Sequence, residues 1–292
     1  MGILRDYHRE SPSADAAHPA DARVPVAGVR HQPDSVTDVA SRAERSLSFG
    51  AVAGDYDRLR PGPAPDAVKW LLPARAEVVV DLGAGTGLLS RAVAAAAGHV
   101  IAVEPDDRMR AVLAARSPGV EALAGRGEAI PLPDASADAV VVSSAWHWMD
   151  PELAVPEIAR VLRDNGRFGV IGTGRERTSW LRAGEWFGTD DPDDASRRAA
   201  VATSASRQIT LPEPAQFGNI ETHTFRFTRR MSIPDLVEWL TTYSRVITAS
   251  DEVKAAGRAR ATAALAEQFP DATEIEVPMR SHCWRADRVP RS

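Results

Sequence analysis

EVVVDLGAGTG, residues 77–87, runs from an apolar stretch into a glycine-rich turn, and the rest of the chain reads as support for that turn. Val78, Val79 and Val80 are β-branched and continuously apolar, the pattern of a strand covered on both faces in a parallel sheet flanked by helices. Asp81 closes the run. Gly83, Ala84, Gly85, Thr86 and Gly87 form the turn, where glycine permits positive φ and removes the Cβ that would hold a ligand off the backbone. A helix over about residues 87–97 points its free N–H groups back at the loop, a setting for an anionic or hydrogen-bond-accepting ligand of nucleotide type.

The spacing discriminates between such ligands. A dinucleotide fingerprint is G-x-G-x-x-G, whereas here the third glycine, Gly87, comes one residue early and Leu88 follows. G-x-G-x-G with an acid at the strand end resembles motif I of class I S-adenosylmethionine (AdoMet) methyltransferases. The resemblance implies a loop packed against the methionine part of AdoMet. A second strand over residues 99–103 ends at Glu104, about 20 residues after the loop begins, where a carboxylate can accept both ribose hydroxyls. That feature alone does not separate AdoMet from NAD.

At 292 residues the chain holds one large domain with an extension, or two small ones. Apolar content of 44% and charged content of 26% are those of a globular protein, and no apolar run is long enough to span a bilayer. The N-terminus lacks the apolar core of a secretory signal, and Asp6 stands where a myristoylation signal wants Ser or Thr, so a cytoplasmic location without membrane attachment is expected. A net charge of −5 disfavours a nucleic-acid partner. Cys283 is the single cysteine, so neither a disulfide framework nor a cysteine zinc site is expected, and it reads as a small residue in a strand.

Residues 1–44, rich in Pro, Ala, Asp, Ser and His, read as a disordered tail ahead of one domain over 45–292. Phe49, Val52 and Tyr56 recur at helical spacing, a turn follows at Pro61 to Pro65, and Val68, Trp70, Leu71 and Leu72 mark a second helix. This leader resembles that of small-molecule methyltransferases in the trans-aconitate methyltransferase-like branch, with Tyr56 and Arg60 as the matching residues. The resemblance implies that both lie over the cofactor and that Arg60 pairs with its carboxylate. Asp106 reads as the N-cap of a helix whose apolar side is Met109, Val112 and Leu113, and residues 120–123 as a short third strand.

A second block, GRGEAIPLPDASADAVVVSSAWHWMD, carries Gly127, Glu128, Ile130, Pro131 and Asp138 at positions that fit the same family. Arg126 departs from it by standing where an aspartate often meets the adenine, which leaves that ring to backbone groups near Gly127 and Glu128. The fourth strand, 139–142, delivers residues 143–150 to its carboxyl end, the edge where open α/β sheets bind ligands. Trp146, His147 and Trp148 are thus expected beside the reacting methyl group. His147 reads either as a general base or orienting group for a hydroxyl substrate, or as a packed histidine without chemical role.

A helix opens at Asp150-Pro151, with Pro156 implying a kink or a later start, and a fifth strand covers 167–171. The AdoMet-binding core thus spans about 75–172. Residues from about 173 to 217 are polar and irregular and read as a lid or a plain surface excursion, with Arg175 and Arg177 as candidates to hold an acidic substrate. A sheet-completing part follows over about 218–287. It comprises a sixth strand at 220–227, a helix opened by Ser232 and Asp235 with Leu236, Val237 and Leu240 inward, a helix over 251–269, and a last strand over 275–284 forming a hairpin with the sixth.

The resemblance implies an α/β, Rossmann-like, seven-stranded, mostly parallel sheet with helices on both faces and an antiparallel C-terminal hairpin strand. It places AdoMet contacts at Tyr56, Arg60, Asp81, Gly83, Ala84, Gly85, Gly87, Glu104, Pro105, Gly127, Glu128 and Ser143, with His147 as the catalytic candidate and no catalytic metal. The expected activity is methyl transfer to a small molecule, with no obligate protein partner. Rival readings are an NAD-dependent oxidoreductase, disfavoured by the shifted glycine and the absence of a Tyr-x-x-x-Lys pair, and a non-enzymatic AdoMet-binding regulator.

Overall fold

The computed structural model describes residues 53–176, 178, 180–188, 211, 216–247 and 249–290. Outside the described residues lie the expected tail at 1–44, Phe49 and Val52 of the leader, Arg177, most of the expected lid, and the side chain of Tyr56. The strands are β1 (Val78–Leu82), β2 (His99–Val103), β3 (Glu121–Leu123), β4 (Ala137–Ser143), β5 (Leu162–Arg175), β6 (Glu221–Ser232) and β7 (Glu274–Asp287). They form one sheet in the order β3-β2-β1-β4-β5-β7-β6. β1 to β5 pair in parallel, and β7 runs antiparallel between β5 and β6. The expected fold class is the observed one.

The apolar runs become central strands because both sheet faces are covered. Val80, Leu82, Val140 and Val142 face one cluster, and Val79, Ala139 and Val141 face the other, the two-residue alternation of a strand buried twice over. Helices α1 (Ala53–Leu59), α2 (Pro65–Leu71), α3 (Leu88–Ala94), α4 (Asp107–Arg116) and α5 (Pro151–Val161) accompany this half of the chain. α2 and α3 contribute Val68, Leu71, Leu89 and Val93 to one side, while α5 contributes Val155, Ile158 and Val161 to the other. Asp138, at the start of β4, accepts the N–H groups of Glu77 and Val78, each at 2.9 Å, and so pins the register of β1 against β4.

Local signals set most boundaries. Asp106, Asp150, Ser232 and Ser250 each cap the helix they precede by accepting a backbone N–H. α5 continues from Pro151 past Pro156 to Val161, neither starting late nor stopping there. Pro156 deprives only the Glu152 carbonyl of an intrahelical donor, and the buried side of the helix outweighs that loss. Strands β5, β6 and β7 extend past their expected ends, to Arg175, Ser232 and Asp287. β6 continues through Thr228–Ser232 because each residue there has a partner on β7, down to Ser232 opposite Glu274.

The long antiparallel pair of β6 and β7, whose strands are joined through helices and not as the expected hairpin, carries a second layer made of α6 (Ala183–Phe187), α7 (Ile233–Thr241) and α8 (Asp251–Gln268). Trp186, Phe187, Leu236, Trp239, Leu240, Ala261 and Leu265 pack there against Met231, Ile275, Val277 and Met279. α8 comes close enough to α6 that a Cβ on Gly257 would sit 2.2 Å from the Phe187 ring, which is itself fully buried. Gly257→Ala is therefore expected to destabilise the protein by about 1–3 kcal/mol despite alanine's better helix propensity, because the ring has nowhere to move. A thermal melt of the variant matching or exceeding the parent would show that Phe187 yields.

Candidate active site

Reversal of the chain's direction across the sheet, outward to β3 and then back to β4, opens a crevice between the carboxyl ends of β1 and β4. A cleft lies there. Its floor is Gly83, Ala84, Gly85 and Thr86, its far wall is Ser143, Ser144 and Thr173 at the ends of β4 and β5, and Arg60, Pro61 and Pro63 of the leader close the remaining side.

The loop is shaped by three left-handed glycines, at φ 69° for Gly83, 57° for Gly85 and 85° for Gly87. They serve different ends. Gly83 and Gly87 are glycine because protein fills the space: a Cβ would lie 2.7 Å from the Ala145 Cβ or 2.9 Å from Leu113 Cγ. Gly85 looks onto open space with nothing within 4 Å, so its bare backbone borders the cleft itself. The loop is tied down by the N–H of Gly83 donating to the Val103 carbonyl at 2.8 Å and that of Gly87 to the Ala84 carbonyl at 3.0 Å.

Glu104 crosses from the tip of β2 to this loop. Its Oε2 accepts the Gly85 N–H at 2.8 Å and its Oε1 the Asp106 N–H at 3.0 Å, and the residue is 8% exposed. Burial holds its carboxyl above the usual range, partly offset by those two amides. One carboxylate thus braces the glycine turn and keeps lone pairs to spare for a ligand.

Asp81 corrects the reading of a strand-closing acid. It lies inside β1, fully buried, and Ser90 of α3 donates to its Oδ2 at 2.6 Å. It does not wall the cleft but stands behind it, locking α3 to β1. Burial above all, with the nearby Glu104 charge adding and the Ser90 bond opposing, raises its carboxyl to about 7. A carboxyl with a folded pKa above its unfolded one stabilises the protein fully below about pH 4, and that contribution is lost as pH rises through about 7. Asp81→Asn is expected to flatten the decline in melting temperature between those two limits; a variant that keeps the parental slope would remove Asp81 as its source.

Other expected site residues divide between the cleft and its surroundings. Arg60 and Ser143 are on the wall. Arg60 is steadied by Thr242, donating from Nε to Oγ1 at 3.2 Å and from Nη2 to the carbonyl at 2.9 Å, and its guanidinium lies 4.8 Å over the Tyr243 ring. Pro105 is exposed, and Gly127 packs against Met149, leaving a Cβ only 2.7 Å from its sulfur. Glu128 accepts the Asp150 N–H at 2.9 Å. Tyr56 is carried on α1.

His147 is not brought to the cleft. The chain turns through a short 3-10 helix at Trp146–Trp148, which lays Trp146 half-buried against the core beside Phe168 and Trp284 and leaves His147 exposed, its ring 4.5 Å from that of Trp148. Position at a strand's carboxyl end located the segment correctly, but the turn after the strand decides which side chain faces inward.

Sequence reading missed Arg91. It donates to the Thr86 carbonyl and to Ser117 Oγ, each at 3.0 Å, and pairs at 2.6 Å with Asp57 of α1, which is almost fully buried. One arginine thereby joins leader, glycine loop and α4. Its basic residue at the fourth position of a short helix carried no signal of that role.

These surroundings suit a nucleoside with an amino-acid end. Thr86 Oγ1, on the cleft floor, is buried without a hydrogen-bond partner among the described residues, and the space over Gly85 would admit a ligand against bare backbone.

A family model described as a methyltransferase domain matches residues 80–170. An uncharacterized methyltransferase of Mycobacterium tuberculosis is 40% identical over 250 residues, covering 84% of this chain and 98% of its own. An uncharacterized methyltransferase-like protein of Schizosaccharomyces pombe is 28% identical over 214 residues, 71% of this chain and 81% of its own. Among solved structures, one named as a type II methyltransferase of Anaeromyxobacter dehalogenans superposes with a TM-score of 0.58 at 23% identity, over 80% of this chain and 99% of its own, a likeness of fold.

Proposed function

This chain belongs to the class I methyltransferase family, and from that premise we propose that it methylates the carboxylate of a small organic acid. AdoMet, when bound, supplies the methyl group on a sulfonium whose departure leaves a neutral thioether, so the protein's work is to align an acceptor and exclude water. Glu104 would take the ribose hydroxyls, the loop from Gly83 to Thr86 the methionine part, and Arg60 the methionine carboxylate.

Arg175 carries the choice of acceptor. It stands on β5 two residues beyond Thr173, hence on the same strand face as that cleft wall, and it makes no ion pair among the described residues. A cation without a carboxylate beside a cleft is a site for an anionic acceptor. A carboxylate is already nucleophilic and needs no base, which agrees with His147 standing off the cleft. Resemblance of the leader to the trans-aconitate methyltransferase-like branch supports the same acceptor class.

Incubation with methyl-labelled AdoMet and a metabolite extract, read by mass spectrometry, tests this. Labelled products that mild alkali hydrolyses to acids are expected. Label held only in alkali-stable N- or C-methyl compounds, or no transfer at all, would remove the carboxylate reading.

A further inference from the structure

We propose that Thr173 presents its hydroxyl hydrogen to the cleft, set in that role by the buried Ser281, and binds an oxygen of a carboxylate-bearing ligand. The proposal deepens the methyl-transfer reading and rests on it. An accounting of hydrogens leads to it. Thr173 of β5 and Ser281 of β7 face each other directly across the strands, and their hydroxyl oxygens lie 2.9 Å apart. Each hydroxyl has one hydrogen to give and two lone pairs to receive.

Ser281 is fully buried, and its Oγ already accepts the Ala64 N–H at 3.1 Å. That hydroxyl has no third hydrogen-bond partner among the described residues. Were Thr173 the donor, the Ser281 oxygen would receive twice and its own hydrogen would be stranded in the interior, an arrangement that folded proteins avoid. Ser281 therefore donates to Thr173 Oγ1. Thr173, half-buried on the cleft wall, keeps its hydrogen for whatever enters.

The same serine fixes the wall opposite, because the Ala64 amide it holds directly follows the Pro61–Pro63 segment that lines the cleft. A hydroxyl donor flanked by Arg60 on the wall and by Arg175 two residues along the strand suits a ligand rich in acceptor oxygens, which is to say a carboxylate. Both the amino-acid end of the cofactor and an acidic acceptor carry one.

Thr173→Val deletes the hydroxyl at nearly constant shape, and Thr173→Ser restores it. Calorimetry with S-adenosylhomocysteine is compared with calorimetry using 5′-methylthioadenosine, which keeps the nucleoside and thioether but lacks the amino-acid end. Transfer of label into extract at saturating AdoMet supplies the other arm. Thr173→Val is expected to cause a loss of about tenfold in one arm alone, with Thr173→Ser within roughly threefold of the parent. Weaker S-adenosylhomocysteine binding with unchanged 5′-methylthioadenosine binding assigns the hydroxyl to the cofactor; weaker transfer with unchanged binding assigns it to the acceptor. No change in either arm, equal loss of both adenosine ligands, or failure of the serine variant to recover overturns the proposal. A parent protein that takes up neither adenosine ligand overturns the methyl-transfer reading as well, and is told apart because the fault is then in the parent.

Discussion

Glu104→Ala should lower affinity for S-adenosylhomocysteine by more than a hundredfold while leaving the protein folded. Glu104 is proposed to hold two ribose hydroxyls, and hydrogen bonds to a charged group contribute roughly 1.5–3 kcal/mol each, so losing both corresponds to about two decades or more in Kd. A further loss comes from within the protein. The carboxylate accepts the Gly85 N–H and the Asp106 N–H, so its removal frees the glycine turn before any ligand arrives. Glu104→Gln separates the contributions: it keeps the side chain's size but sets an NH2 group against one of two backbone donors, so one brace is lost while one acceptor remains. Its affinity should fall between those of the parent and the alanine variant. Calorimetry placing the alanine variant within threefold of the parent would take the ribose away from Glu104.

What the sequence disclosed, and what it did not, follows from the range of the interactions. The strand of Val78 to Val80, the glycine turn, Glu104 and the helix caps at Asp106 and Ser232 are each written within a few neighbouring residues, and the structure has them where the pattern places them. Arg91 with Asp57, and Thr173 with Ser281 and Ala64, join residues between 34 and 217 positions apart, and no local pattern carries such pairings. Asp81 was legible as an acid at the right place and misleading as to its face, because Ser90, the partner that turns it inward, lies on the next helix. Trp146 and His147 illustrate the same limit: a strand end can be located from apolar pattern, whereas the single turn following it sets which ring is core and which is surface.

The last two glycines of the loop, Gly85 and Gly87, can be told apart by where their loss is felt. Gly87→Ala should cost the protein itself about 2–4 kcal/mol, since φ is 85° and the new methyl would lie 2.9 Å from both Leu113 Cγ and Ser117 Oγ. Leu113 is fully buried and Ser117 nearly so, and neither can retreat without opening α4. That is a large share of the roughly 5–15 kcal/mol that holds a domain folded. Gly85→Ala meets no such wall: strain of about 1–2 kcal/mol from the left-handed backbone is its whole structural cost, a shift of a few degrees in melting temperature. Its methyl group would instead stand over the bare backbone of the cleft floor, and S-adenosylhomocysteine affinity should drop about tenfold or more. The first variant thus loses stability and the second loses ligand. Should Gly85→Ala bind as tightly as the parent, no ligand rests on that backbone; should Gly87→Ala melt with the parent, the packing of Leu113 and Ser117 against the loop is looser than their burial implies.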